Sequence, residues 1–387
     1  VLPLRLIRGG APLTQLPRLL VVAAAGSVGF LLLCALSYAL NHPGDAGVAV
    51  PRLLWCLVPL AATVQLAALV ARTAPGPRTR AALDAVGLGA TGLPLLAALQ
   101  TAVFCLLGSA LALLVYLHLR GDVVGLPFDG AAAELVAAGR PLPVVATLTL
   151  LLVVPLVAAG ATALSLRATA ARRAAHPQPP ALDRAGPPLP LPVGLSYGTA
   201  LIGVGIALET YAARGTGAPV PLPGAGTGPG PGVVTGWLLT ALGLVLAGPG
   251  LTQLAGRLLA AARPGAMRFL AGRILQEEAP HIGAPLGVLC AAGCGLIAAS
   301  HLYGPDRPLG PLTVLGGLVV VGCAVAGVCT AVAGSRAALA PARAALAQLG
   351  ATRELLRGAA ALRVAAVLAV LTPVTWGVAQ LAALPLT

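Results

Sequence analysis

Cys290 and Cys294 stand four residues apart in an apolar stretch, a spacing that sets two thiols on one helix face, where they could hold a soft metal ion. No histidine or carboxylate shares that turn, so the pair reads as small apolar packing residues, as do Cys34, Cys56, Cys105, Cys323 and Cys329. His42, His118 and His301 each fall at the end of an apolar segment and could meet as a metal or pH-sensitive site. Scattered as they are, they read by default as interfacial side chains, and no metal ligand set is assigned. Gln65, Gln100 and Gln380 suit hydrogen bonding between helices better than substrate recognition. Every carboxylate, Glu209 included, lies at the end of an apolar run or between runs, which leaves no proton or ion relay in mid-run. No Walker A loop, GxSxG elbow or HExxH pair occurs, so the chain shows no means of hydrolysing ATP itself and no catalytic residue is assigned.

One pattern recurs. Arg78 and Arg80 precede Leu88, Gly89, Ala90 and Thr91; Arg343 precedes Leu349, Gly350, Ala351 and Thr352, with Arg353 and Arg357 following. Both arginine-started stretches read Arg-Ala-Ala-Leu, and each copy ends just before a long apolar run. The glycine can end a helix at its C-cap and the threonine can cap the next one, which makes a stiff elbow.

The elements that must hold these residues are membrane helices. The chain of 387 residues is 58% hydrophobic and 9% charged, with a mean hydropathy of +0.94. A water-exposed globule of that composition would present large apolar patches. Segments near 20 residues, enough to cross ~30 Å of hydrocarbon, are expected at 19–40, 53–71, 93–119, 144–166, 193–208, 233–254, 282–302, 312–333 and 364–384. The expected fold is therefore an all-α polytopic membrane protein of about nine spans. The fifth is the shortest and carries Gly198, Gly203 and Gly205; Pro59, Pro155, Pro285 and Pro373 are expected to kink their spans.

All 24 basic residues are arginine, and 19 of them alternate onto one side of this arrangement. Only Arg52, Arg120, Arg140, Arg214 and Arg307 fall on the other. By the positive-inside rule the N-terminus is expected in the cytoplasm, and nine spans would leave the C-terminus outside. The net charge of +13 forms no single basic face interleaved with aromatics, so nucleic acid is not an expected partner. The first span is too long for a cleavable signal peptide, and arginine in place of lysine suggests a GC-rich bacterium and its cell membrane. Residues 2–15 suit an amphipathic surface helix, 167–190 a Pro-rich linker, and 256–276 two amphipathic pieces around Pro264-Gly265. The outer loops are too short to bury a core of their own.

With the spans in place, both elbow motifs fall in cytoplasmic segments ahead of a span. In this the chain resembles the FtsX-like permease domain of ABC transporters, the family of MacB- and LolCDE-type systems, whose units carry a Leu-Gly-Ala-Ser/Thr motif beside basic residues. The resemblance implies a first permease unit at 1–166, a linker and two connector spans at 167–254, and a second unit at 255–387. That second unit has three spans where the first has four, and the large extracellular domains common in the family have no counterpart here. The resemblance further implies a permease subunit without catalytic residues, binding no cofactor itself and drawing on ATP through a separate cytoplasmic ABC ATPase. Inner helices around Arg78–Thr91 and Arg343–Arg357 would receive the ATPase's motion. Its other partners would be membrane lipids and a hydrophobic or amphipathic substrate. The alternatives are an ATPase-independent secondary transporter or channel, which would need polar residues along a mid-membrane path, and a non-transporting scaffold or regulator.

Overall fold

The computed structural model describes residues 12–73, 92–122, 142–175, 194–215, 220–221, 228–261, 265–303, 309–340, 344–345, 348 and 352–384. Every regular element among them is helical. The order is α1 (Pro12–Asn41), α2 (Ala46–Trp55), α3 (Leu57–Thr73), α4 (Gly92–Arg120), α5 (Val144–Ala175), α6 (Gly194–Ala213), α7 (Pro231–Ala260), α8 (Ala266–Leu302), α9 (Pro311–Ala338) and α10 (Arg353–Ala383). Eight stretches are long and apolar enough to cross a membrane: α1, α2 with α3, α4, α5, α7, α8, α9 and α10. Their outer faces carry Leu95, Leu99, Leu107, Leu156, Leu164, Leu296, Leu318 and Val364, each about half exposed or more. In water such surfaces would aggregate; in lipid they are the solvated side.

The chain divides into two units. The first holds α1 to α5 with Gly310–Gly327, which takes in the first part of α9; the second holds α6, α7, α8 and α10 with the rest of α9 from Val328. In the first, Val21, Ala25, Val28 and Leu32 of α1 bury against Leu60, Leu66 and Val70 of α3, Cys105 of α4, Val154 and Ala158 of α5, and Val319, Cys323 and Ala326 of α9. Helices α1 and α4 touch at their backbones: a Cβ added at Gly108 would lie 2.5 Å from the Val22 carbonyl oxygen. Nearby, Tyr116 and Ser37, both fully buried, share a hydrogen bond that keeps two hydroxyls satisfied in an apolar core. The expected span 53–71 is broken into α2 and α3 at Cys56. Pro59 has no N–H to give the Trp55 carbonyl, and Cys56 N instead closes a tighter turn onto the Leu53 carbonyl at 3.2 Å.

In the second unit, α7 is the central rod and small residues set its spacing to both neighbours. Along one face α6 runs antiparallel to it, Gly198 against Gly243 and Ala247, Gly205 against Gly236 and Thr240, and Ala212 against Gly232. A Cβ at Gly198 would sit 2.5 Å from the Ala247 nitrogen and 2.7 Å from the Gly243 carbonyl oxygen. Along another face α8 packs as tightly, Gly283 against Gly248, Gly287 against Leu244 and Val245, and Gly272 against Gly256 and Ala260. Small residues let backbones approach where lipid supplies no hydrophobic drive for helices to associate.

Three expectations change. The segment 193–208 forms α6, a helix of 20 residues, yet it is not among the eight stretches apolar enough to cross on composition. Its glycines, Tyr197, Glu209 and Tyr211 dilute the apolar content. The stretch 256–276 is helical on both sides of residues 262–264, but the two pieces belong to longer helices: its start completes α7, and residues from Ala266 open α8, which continues to Leu302. That single helix of 37 residues spans about 55 Å at 1.5 Å per residue, longer than a bilayer core is thick. The last span likewise begins 11 residues earlier than 364, at Arg353, so Arg363 lies inside α10 rather than at its end.

Candidate functional site

Of the recurring motif residues, Arg78, Arg80, Leu88, Gly89, Ala90 and Thr91 of the first copy lie outside the described residues, as do Arg343, Leu349, Gly350 and Ala351 of the second. Thr352 is described. Its backbone is extended (φ −69°, ψ 150°) and its Oγ1 accepts the Leu355 N–H at 3.3 Å, an N-cap that starts α10 at Arg353. The Leu356 N–H completes the turn onto the Thr352 carbonyl at 3.3 Å, and Glu354 adds an acidic charge in the first turn where the helix dipole favours one. In sequence the first copy directly precedes Gly92, where α4 starts, while Thr91 itself lies outside the described residues. Replacing Thr352 with alanine is expected to cost about 1 kcal/mol of cap energy, read as roughly fivefold faster amide hydrogen exchange over Leu355 and Leu356 with the rest of α10 unchanged.

The cap leads into a polar cluster in the second unit. Arg363 Nη1 donates to Glu278 Oε2 at 2.7 Å, joining α10 to α8, and the two side chains are 13% and 10% exposed. Glu278 thus neutralises Arg363 between the two helices. Near the pair, Arg336, Arg357 and Arg363 line a cleft of about 350 Å³ whose other walls are Ile274, Leu356, Ala359 and Ala360. The beginnings of α8 and α10 and the end of α9 therefore lie at the same end of this unit, as the alternation of arginines predicts.

Deeper in that unit, Glu209 of α6 is fully buried. Thr240 Oγ1 of α7 donates to its Oε1 at 3.1 Å, while Oε2 has no hydrogen-bond partner. Reading Glu209 as the outer end of a span missed this, because the span's end was set by hydropathy and the helix continues to Ala213. The signal that could have found it is the row of small residues, Gly198 and Gly205, whose face Glu209 continues one turn further. Cys290 and Cys294 are both buried beside α10; Cys294 belongs to an apolar cluster with Leu244, Val378 and Ala379, and its Sγ donates to the Thr375 carbonyl at 3.3 Å. Among the described residues no three of His, Cys, Asp and Glu converge as a metal site. His42 instead stacks on Tyr38 at 4.3 Å between ring centroids, with the Arg52 guanidinium 3.5 Å from the same ring.

In the first unit a wider groove of about 500 Å³ runs between α3 and α5. Leu57, Leu60, Val64 and Val157 make it apolar, and Gln65, Arg72 and Ser165 add polar groups. Gln65, which the sequence reading gave to helix packing, thus lines an open groove.

Comparison with protein-family models, with curated proteins and with solved structures returns no match to this chain.

Proposed function

We propose that the chain is the transmembrane permease subunit of an ABC-type exporter or lipid- or peptide-handling complex, coupling a separate cytoplasmic ATPase to movement of a hydrophobic or amphipathic substrate. The observation that carries this reading is the position of the repeated motif: α4 begins one residue after Thr91 and α10 one residue after Thr352. Each copy thereby abuts a long, apolar helix, and at Thr352 the threonine fixes the first turn. A push on the motif from the cytoplasm would be delivered along a rod of about 29 or 31 residues rather than absorbed in a loop. The glycine-spaced contacts of α7 with α6 and α8 favour movement of packed helices as blocks. In this reading α6 is a ninth crossing, held in lipid by α7 in spite of its own modest hydropathy, and the arginine-rich helix ends face the cytoplasm. The groove between α3 and α5, apolar with Gln65, Arg72 and Ser165 on its walls, suits an amphipathic cargo.

The test replaces Leu88–Thr91 and Leu349–Thr352 by alanines and measures ATP hydrolysis in vesicles holding the chain and its ATPase. Coupling through the motifs predicts at least a tenfold loss of permease-dependent hydrolysis at unchanged folding; an unchanged rate overturns it.

One observation favours the rival reading, an ATPase-independent transporter: the buried carboxyl of Glu209, since intramembrane ionisable groups commonly serve ion pathways. The two readings part at Glu209→Gln, which retains the acceptor for Thr240 and removes the ionisable group. Under the permease reading ATP-driven transport stays within twofold of wild type and the midpoint of thermal unfolding does not fall. Transport that is driven by a proton gradient and lost in this variant would favour the rival.

A further inference from the structure

Three guanidinium groups line one small cleft in the second unit, and only one of them is neutralised. Among the described residues the ion pairs are Arg120 with Asp122 and Arg363 with Glu278, so neither Arg336 nor Arg357 has a carboxylate within 4.0 Å. Arg363 is engaged through Nη1, and its Nε is buried with no hydrogen-bond partner. Three arginines against one carboxylate leave two positive charges facing about 350 Å³ of space. Like charges held around a cleft repel one another unless an anion sits among them, and guanidinium groups match phosphate oxygens geometrically.

The rest of the lining decides which anion. Ile274, Leu356, Ala359 and Ala360 give a hydrocarbon wall, which a free phosphate or an acidic protein loop would leave exposed to water. In sequence the cleft residues flank the expected apolar segments 282–302, 312–333 and 364–384 of α8, α9 and α10, so a bilayer filled by those segments would bring its headgroups to the cleft. A ligand with a phosphate at one end and glycerol and acyl chain at the other satisfies both linings at once. Basic pockets between membrane helices on the arginine-rich side bind lipid headgroups by this combination.

We infer that Arg336, Arg357 and Arg363 form a site for an anionic phospholipid of the cytoplasmic leaflet, its phosphate on the guanidinium groups and its glycerol end on Ile274 and Leu356. The site does not depend on the permease reading, since it uses neither the repeated motif nor an ATPase. Its consequence is mechanical: a lipid bridging the end of α9 to the start of α10 ties together helices that leave Arg336 and Arg357 without counter-charges.

The full-length chain, purified in a neutral detergent, is titrated with dioleoyl phosphatidylglycerol and, separately, with dioleoyl phosphatidylcholine, and retained lipid is counted by native mass spectrometry. One phosphatidylglycerol is expected to be retained at least tenfold more tightly than phosphatidylcholine. Arg357→Gln and the double variant R336Q/R357Q are expected to abolish that preference, while Arg167→Gln, an arginine outside the cleft, leaves it intact. Arg357 is exposed and has no carboxylate partner, so its variant is expected to fold; an unchanged thermal midpoint establishes that. Equal retention of the two lipids, or an unchanged preference in a folded R357Q protein, overturns the site. Displacement of the lipid by an equal concentration of glycerol 3-phosphate would assign the cleft to a soluble anion instead. Loss of a co-purifying protein from R336Q/R357Q at unchanged lipid retention would assign the arginines to a protein surface; either result contradicts the proposal.

Discussion

Glu278→Leu is expected to destabilise the second unit by about 3–5 kcal/mol, the cost of leaving a buried charge without its partner. Arg363 is only 13% exposed, its Nε has no hydrogen-bond partner, and among the described residues Glu278 is the carboxylate paired with it. The single variant is expected to unfold at a markedly lower temperature in detergent or to fail to accumulate. The double variant E278L/R363L removes both charges and fills the space with apolar atoms, and it is expected to recover most or all of the loss. Arg363→Leu alone leaves Glu278 buried without its partner and is expected to lose stability as well. A thermal-unfolding cycle over the four proteins reads the coupling. Equal, additive losses would mean that the two side chains do not depend on one another.

Gly287→Leu is expected to be nearly as severe. A Cβ at Gly287 would lie 2.5 Å from the Leu244 carbonyl oxygen and 2.8 Å from the Val245 Cα, so the clash is with backbone that no rotamer change relieves. To admit the side chain α8 must move away from α7, opening the contacts of Gly283 with Gly248 and of Gly272 with Gly256. Overpacking at such a crossing costs about 3 kcal/mol. Eight residues along the same helix, Gly295 has nothing within 4 Å and Leu296 beside it is 64% exposed. Gly295→Leu should therefore leave stability within about 1 kcal/mol, since it adds only lipid-facing surface and removes a flexible glycine. The comparison is made by thermal unfolding of both variants in one detergent; equal effects would deny that close backbone approach sets the spacing of α7 and α8.

These two sites mark where the sequence was and was not legible. Long apolar runs betray membrane helices because lipid forbids unsatisfied backbone, and eight of the nine expected spans coincide with helices of sufficient length and hydropathy. Hydropathy says little about where a helix ends once it leaves the hydrocarbon. The span was expected from 282, yet α8 already runs through Glu277, Glu278 and Pro280, with Glu278 neutralised by Arg363. That partner is 85 residues away on another helix, and only packing brings the two together. Glu209 was hidden for the same reason: its burial depends on α7 presenting Gly236 and Thr240 to it. Pro59 was legible as a bend, and the structure breaks the span beside it. The threonine of the second repeated motif was legible as a cap, because capping needs only residues within one turn, and Thr352 performs it.

Under the permease reading this membrane chain works with a separate cytoplasmic ATPase. The most direct measurement is affinity purification of the full chain from its native membrane in a mild detergent, with retained proteins identified by mass spectrometry and ATP hydrolysis of the eluate recorded. The permease reading predicts an ABC-type ATPase retained in fixed stoichiometry, with hydrolysis that falls when Leu88–Thr91 and Leu349–Thr352 are replaced by alanine. An eluate with no ATPase and no hydrolysis, from a chain that still moves substrate in vesicles without ATP, would contradict it.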